Sequence, residues 1–204
     1  MTSPILLKIK EIFIMTNSVN PTRVITGLSR LSYANIWQAK SINGGAPKFS
    51  TSVIIPKSDT VTVSKIKAAI QAAYEEGQGK LKGNGKTVPP LSTLKTPLRD
   101  GDVERPDDEA YKGCWFVNAN SNNAPGVVDV HCQPIFDTSE IYSGVYARVS
   151  LSFYAFNSNG NKGIACGLQN IQKIKDGESL GGKAKAEDDF NDGYQTEADE
   201  DFLG

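Results

Sequence analysis

The chain has a single histidine, His131, and only three cysteines, Cys114, Cys132 and Cys166, with no CxxC spacing. An odd, scattered set of thiols does not make a disulfide framework, and one histidine beside one thiol does not make a zinc site. No metal or other cofactor is therefore expected, and a reducing compartment fits. His131 and Cys132 fall in an apolar run, where they read as an ordinary strand residue beside a small buried thiol. Long uncharged hydrophobic runs are also missing. The opening "MTSPILLKIKEIFIM" is interrupted by Lys8, Lys10 and Glu11. It is too short and too charged to span a bilayer, and no small-residue cleavage site follows it. No membrane contact is expected, and the cytoplasm is the expected location. Met15, followed by "TNSVNPTR", reads as a second start, so residues 1–14 are taken as an upstream extension and 1–22 as a flexible N-terminal segment.

Acids are scarce over most of the chain. Residues 1–186 hold all 22 Lys and Arg against 15 acids, a surplus of seven positive charges, whereas "EDDFNDGYQTEADEDFLG" (187–204) carries eight acids and no base. A basic body with an acidic end is an asymmetry found in polyanion binders. The last stretch, 183–204, has too little apolar surface to fold alone and is expected to be a disordered tail. With 204 residues, 39% of them hydrophobic, the remainder makes one sizeable domain, 23–182.

Enzymatic motifs are absent as well. "GQGKLKGNGKT" resembles a phosphate-binding loop, but the required glycine is replaced by Lys80, and Pro89 and Pro90 follow where a helix would have to start. It reads as a flexible basic loop. The acids of "PLRDGDVERPDDE" are interleaved with Arg99 and Arg105 and read as a structural loop with local salt bridges rather than a cation site. With one histidine and no nucleophile motif, the chain is not expected to be an enzyme.

What remains is strand grammar. "RVITGLSRLSYANIWQAK" reads as a long, broken strand, and "KFSTSVIIP" alternates Phe49, Thr51, Val53 and Ile55 on one face, making a hairpin across "NGGAP". The period then changes to helical at Val63, Ile66, Ile70 and Tyr74, with Asp59 or Thr60 as cap and Gly77 as stop. Residues 77–112, rich in glycine, proline and charge, form a long irregular insertion. "CWFVNAN", "GVVDVHC", "SGVYARVSLSFYAF" and "IACGLQNIQKI" complete a mainly β, predominantly antiparallel architecture with one helix. A small closed barrel of the OB-fold kind meets this description, and periodicity does not separate it from a sandwich.

The most informative run is 145–156. Its odd positions are uniformly apolar, while its even positions carry Tyr146, Arg148, Ser150, Ser152, Tyr154 and Phe156. Such a face can stack bases on its rings while its cation meets phosphate. The same rings would also serve to pack beneath the helix or the insertion. Tyr33, Trp37 and Lys40, with Lys48, place further aromatic and basic residues around the first hairpin, where OB-folds contact single strands.

"PLRDGD", "YKGCWFVNANS", "YSGVYARVSLSFYAFNSNGNKGIACGLQNIQKIKDGESLGG" and the acidic end together resemble a bacteriophage family of single-stranded-DNA-binding proteins, from about Val24 onward. The resemblance implies an OB-fold and sequence-tolerant binding of single strands during phage replication or recombination, in the cytoplasm of the infected bacterium. The resemblance supplies no site residues; from the alternating face and its neighbours, Tyr146, Tyr154 and Phe156, with Trp37 and Tyr33, are expected to form the stacking surface, and Arg148, Lys40, Lys48, Lys112 and Lys162 to meet phosphates. The tail spans about 23 Å as a coil, enough to fold back on the groove and compete with DNA. Its end, Asp199, Glu200, Asp201, Phe202 and Leu203, is read as the contact for replication or recombination partners. The sequence leaves homo-oligomerisation open. The competing reading is a non-enzymatic phage adaptor or scaffold whose aromatic face is a protein interface.

Overall fold

The computed structural model describes residues 20–41, 44–158 and 160–181. The expectations for the acidic tail and for residues 1–19 lie outside the described residues.

The first long run forms two strands, β1 (Arg23–Ile25) and β2 (Ser29–Lys40). The break falls at Gly27, whose N–H donates to the Thr62 hydroxyl at 2.8 Å instead of continuing a ladder. β3 spans Lys48–Pro56. Helix α1 (Thr60–Glu76) starts where the Asp59 carboxylate accepts from the Thr62 N–H at 3.0 Å, an N-cap that satisfies one otherwise orphaned donor. It stops at Gly77, where an added Cβ would collide with Ala155. One face of the helix, Val63, Ile66, Ala69, Ile70 and Ala73, is buried in the main core.

The insertion is more ordered than an irregular loop. It carries α2 (Gln78–Lys82), β4 (Leu98–Asp100), α3 (Gly101–Glu104) and two short 3-10 turns. The stretch read as a flexible basic loop is helical over Gln78–Lys82 because Leu81 is fully buried and fastens it to the core. Farther along, Tyr111 packs edge-to-face on Phe116, with ring centroids 5.0 Å apart, in a second small cluster that includes Ile54. Ion pairs reinforce this segment: Lys57 meets Asp100 at 2.6 Å and Asp102 at 2.7 Å, and Arg99 meets Glu104 at 2.9 Å.

The remaining strands are β5 (Cys114–Ser121), β6 (Gly126–Val128), β7 (Tyr146–Ser158) and β8 (Asn161–Lys175). "GVVDVHC" stops being a strand at Val128. There the Asp129 carboxylate accepts from the N–H groups of His131 and Gln133, both at 2.8 Å, and curls the chain into a turn. His131 and Cys132 are consequently exposed, with Cys132 at φ 60°, and the reading of a buried thiol is corrected.

Pairing closes a circuit of five strands. β2 pairs with β3, β3 with β5, β7 with β8 and β2 with β7, all antiparallel, and the circuit is completed by a parallel bridge from β5 to β8 at Asn120 and Gly167. This is an OB-like, mainly β fold, with β1, β4 and β6 added at its margins. Its interior is filled as alternation requires: Val145, Ala147, Val149, Leu151, Phe153 and Ala155 are all buried, with Leu31, Val53, Ile55, Val117, Ile164 and Leu168 in the same core. Each of the larger side chains contributes about 1.5–3 kcal/mol by leaving water. Among the described residues no helix is long and apolar enough to cross a membrane.

Candidate nucleic-acid interface

Because successive strand residues point to opposite faces, the partners of the core residues on β3 and β5 form an outer floor. Ser50 lies opposite Asn120 and Ser52 opposite Asn118 across that pair, and Asn35 of β2 lies opposite Ser50. These residues line an open trough of about 390 Å³, capped at one end by Tyr33 and Arg105. A second trough, of about 470 Å³, shares Asn118 and Asn120 with the first and continues past Phe156, Lys95 and Arg99. The two form one groove across the outer face of β3, β5 and β8.

The floor is uncharged and small. Asn120 is bridged to Gly167 on β8, and toward Phe156 the same strand presents Ala165 and Gly163. At Gly163 a side chain would run into the Lys95 carbonyl and, at 2.9 Å, the ring of Phe156, so only glycine lets the insertion and the ring lie this close. The Ile164 N–H donates to that Lys95 carbonyl at 2.8 Å, which holds Lys95 at the groove's edge.

The rims carry the charge and the rings. Tyr33, 56% exposed, sits at φ 48°, a conformation uncommon outside glycine and one that re-aims its side chain. The Arg105 guanidinium lies 5.4 Å from its ring centroid and donates to its hydroxyl at 3.1 Å. Arg105 also reaches the rings of Tyr111 and Phe116, at 5.3 and 5.9 Å, so a cation of the insertion is clamped among three aromatics. The hydrogen bond to Tyr33 raises its already high pKa. Arg99 lies over the same Phe116 ring at 5.5 Å while paired with Glu104, and Lys95 forms no ion pair among the described residues.

A family model described as Enterobacter phage Enc34, ssDNA-binding protein, matches residues 22–203. The chain belongs to this family. Among solved structures it is similar to the single-stranded DNA-binding protein of bacteriophage Enc34 in complex with ssDNA. That likeness has 25% identity and a TM-score of 0.64, covering 78% of this chain and 90% of the other. The fold also resembles gp2.5, a single-stranded DNA-binding protein encoded by bacteriophage T7, at 16% identity and a TM-score of 0.54, over 80% and 97% of the two chains. A curated relative, putative protein p50 of Acyrthosiphon pisum secondary endosymbiont phage 1, is 29% identical over 180 residues, 84% of this chain and 94% of its own length.

The sequence-derived candidates are spread over several places, and only some of them share the groove. Tyr33 and Phe156 line the groove. Tyr154 lies next to Phe156 on the same strand face, 43% exposed, and burial of its remainder raises its phenol pKa. Lys40 and Lys48 face each other at the root of the β2–β3 loop. Lys162 donates to the Lys82 carbonyl at 3.1 Å beside the β7–β8 turn. Tyr146 and Arg148 are carried to the far end of β7. Tyr146 is flanked by Arg30 at 5.7 Å and Lys175 at 4.8 Å. The Arg148 side chain donates to the Thr26 carbonyl at 3.3 Å and to Gln172 at 3.4 Å. Trp37 packs against the core with its ring N–H donating to the Ile141 carbonyl at 3.3 Å, and Lys112 is exposed beside Glu109. Arg148 and Tyr154 thus share a face without sharing a groove.

Sequence reasoning missed the floor and the insertion's cations. Asn118 and Asn120, alternating with Val117 and Ala119 in "CWFVNAN", carried a readable signal. The same holds for Ser50 and Ser52, alternating with the apolar series of β3. Lys95, Arg99 and Arg105 reach the groove only through long-range folding of the insertion.

Proposed function

We propose that this protein binds single-stranded DNA along the groove on the outer face of β3, β5 and β8, without catalysis, in phage DNA replication or recombination. The observation that carries the reading is a groove with an uncharged floor lined by Tyr33 and Phe156, with Lys95, Arg99 and Arg105 on its rims and Tyr154 exposed beside Phe156 on the same strand. Rings of this kind stack bases without regard to sequence, at about 1–3 kcal/mol per base, while the cations neutralise phosphates. Lys40, Lys48 and Lys162 extend the cationic path at the two loops that OB-folds use for oligonucleotides. Tyr146, Arg148, Lys112 and Trp37, more distant, belong to a longer strand path around the barrel. Membership of a family described as ssDNA-binding, and likeness to a protein solved with ssDNA, support the same reading.

The acidic tail is the regulatory half of the proposal. Its carboxylates mimic phosphate and its rings mimic bases, so it competes for the groove. Once displaced, it offers Asp199, Glu200, Asp201, Phe202 and Leu203 to replication partners. Titration of labelled oligo-dT by fluorescence anisotropy tests the whole: the log-affinity slope against log salt should be about −0.7 per phosphate neutralised. Absence of any salt-sensitive preference for oligo-dT over duplex sinks the reading. Deleting 187–204 should tighten binding most at low salt, and unchanged affinity removes the competitor role. An adaptor role is favoured by one observation, the 85% exposure of Phe136 beside the half-exposed Val130. Stoichiometric capture of a protein partner together with indifference to nucleic acid would make that the better account.

A further inference from the structure

Three polar side chains in the middle of the groove floor lack partners. The Ser52 hydroxyl is buried, with the residue 3% exposed, and makes no hydrogen bond. Neither the Asn118 nor the Asn120 side-chain amide has a hydrogen-bond partner among the described residues, and both line the two troughs. A buried hydroxyl left unpaired costs about 1–3 kcal/mol; among the described residues the Tyr111 hydroxyl, outside the sheet, is in the same state, whereas neighbouring Thr51 donates to the Ser32 carbonyl at 3.1 Å. The ladder fixes these groups side by side, Ser52 opposite Asn118 and Asn120 one step farther along β5. None is charged, so phosphate gains little by descending to them while Arg105, Arg99 and Lys95 stand on the rims.

We infer that this floor, through the solvent-open Asn118 and Asn120 amides with the buried Ser52 hydroxyl beside them, hydrogen-bonds the Watson–Crick edges of bases lying in the groove, and that it is a determinant of preference for unpaired strands. The inference rests on the proposed single-strand binding. A hydroxyl both donates and accepts, and an amide can present either end, so each base edge finds partners whatever its identity. Tolerance of sequence and demand for a free edge then come from the same three residues. In a duplex those edges are already taken, so the solvent-open Asn118 and Asn120 amides keep only water and duplex binding forfeits this contribution. Stacking and phosphate contact alone would not produce this dependence on the base edge.

The test uses the full-length protein and two labelled oligonucleotides of equal length, oligo-dT and oligo-N3-methyl-dT. The methyl group removes the N3–H donor and blocks the edge while leaving the ring and the phosphates in place. Wild type should bind oligo-dT about tenfold more tightly, the equivalent of one or two net hydrogen bonds. The Asn118→Ala/Asn120→Ala double variant and Ser52→Ala should bring the two affinities together, chiefly by weakening oligo-dT. Equal affinity of wild type for the two oligonucleotides overturns the inference, a comparison that needs no variant to fold. So does a preference that survives all three substitutions. If wild type binds neither oligonucleotide, the proposed function itself fails, an outcome distinct from equal affinity.

Discussion

Replacing Tyr33 with alanine isolates the proposed stacking contribution at one end of the groove. Both residues carry a Cβ, so the backbone conformation at φ 48° is no more strained in the variant. The side chain is more exposed than buried, and its hydroxyl accepts a hydrogen bond from Arg105, which keeps Tyr111 and Phe116 as neighbours after the change. The fold should therefore lose little, whereas a base stacked on the ring loses about 1–3 kcal/mol. At 1.4 kcal/mol per decade this is a weakening of oligo-dT binding by about 5- to 140-fold. Tyr33→Phe keeps the ring and gives up only the bond to Arg105, so it should lie near wild type. Arg105→Gln should instead flatten the salt slope by about 0.7, the signature of one phosphate contact to a single strand. Anisotropy titrations at three or more salt concentrations give both quantities. Affinity of Tyr33→Ala within twofold of wild type, with the fold intact by circular dichroism, would refute the placing of a base on this ring.

Other parts of the molecule give separate checks. Leu81→Ala empties a fully buried site that fastens the insertion to the core, costing about 2–5 kcal/mol; the melting temperature should fall on the order of 10 °C, read by calorimetry. With Ellman's reagent, exposed Cys132 should react first, half-buried Cys114 slowly because burial raises its pKa, and buried Cys166 only on unfolding. The hydrogen bond from Lys57 holds the Asp102 carboxyl below its ordinary value of 3.8. A depressed carboxyl stabilises the fold above its unfolded pKa and ceases to do so as pH falls through the folded one. The stability gap between wild type and Lys57→Met should thus be full at neutral pH and shrink below about pH 4 in urea titrations.

The barrel was legible because alternation is a strong signal when one face must be dry. Odd residues 145–155 and the series Thr51, Val53, Ile55 are inward as their spacing requires. The helix was legible from Asp59, the 3.6-residue period and Gly77. The groove was harder to read. Strand spacing places Arg148 and Tyr154 on one face, yet at about 3.3 Å per residue they are roughly 20 Å apart, and the face curves around the barrel between them. Trp37 looked like a surface ring, but the Ile141 carbonyl draws its N–H inward. Arg105 lies 72 residues from Tyr33, and no local pattern announces a contact made through an insertion. The Asp129 turn was missed because a single carboxylate capping two N–H groups outweighs a short apolar run.

The groove carries its charge on the rims and its uncharged polar groups in the floor, and the proposed competition depends on that division. On the proposed competition, the acidic tail would satisfy rim cations such as Lys95, Arg99 and Arg105, but it has no Watson–Crick edge to offer Ser52, Asn118 and Asn120. The carboxylate part of its hold on the groove is electrostatic and fades as the Debye length shortens from about 10 Å at 0.1 M salt to about 3 Å at 1 M. Hydrogen bonds in the floor are short-ranged and partly shielded, so they are screened much less. Two ratios should therefore diverge as salt rises from 0.05 to about 0.5 M. The affinity of the chain lacking 187–204 relative to the full chain should fall toward one, while that for oligo-dT relative to oligo-N3-methyl-dT should hold. Three anisotropy titrations at each salt concentration measure both. If the two ratios decline together, the floor and the rims are not separate contacts, and a purely electrostatic groove is the better description.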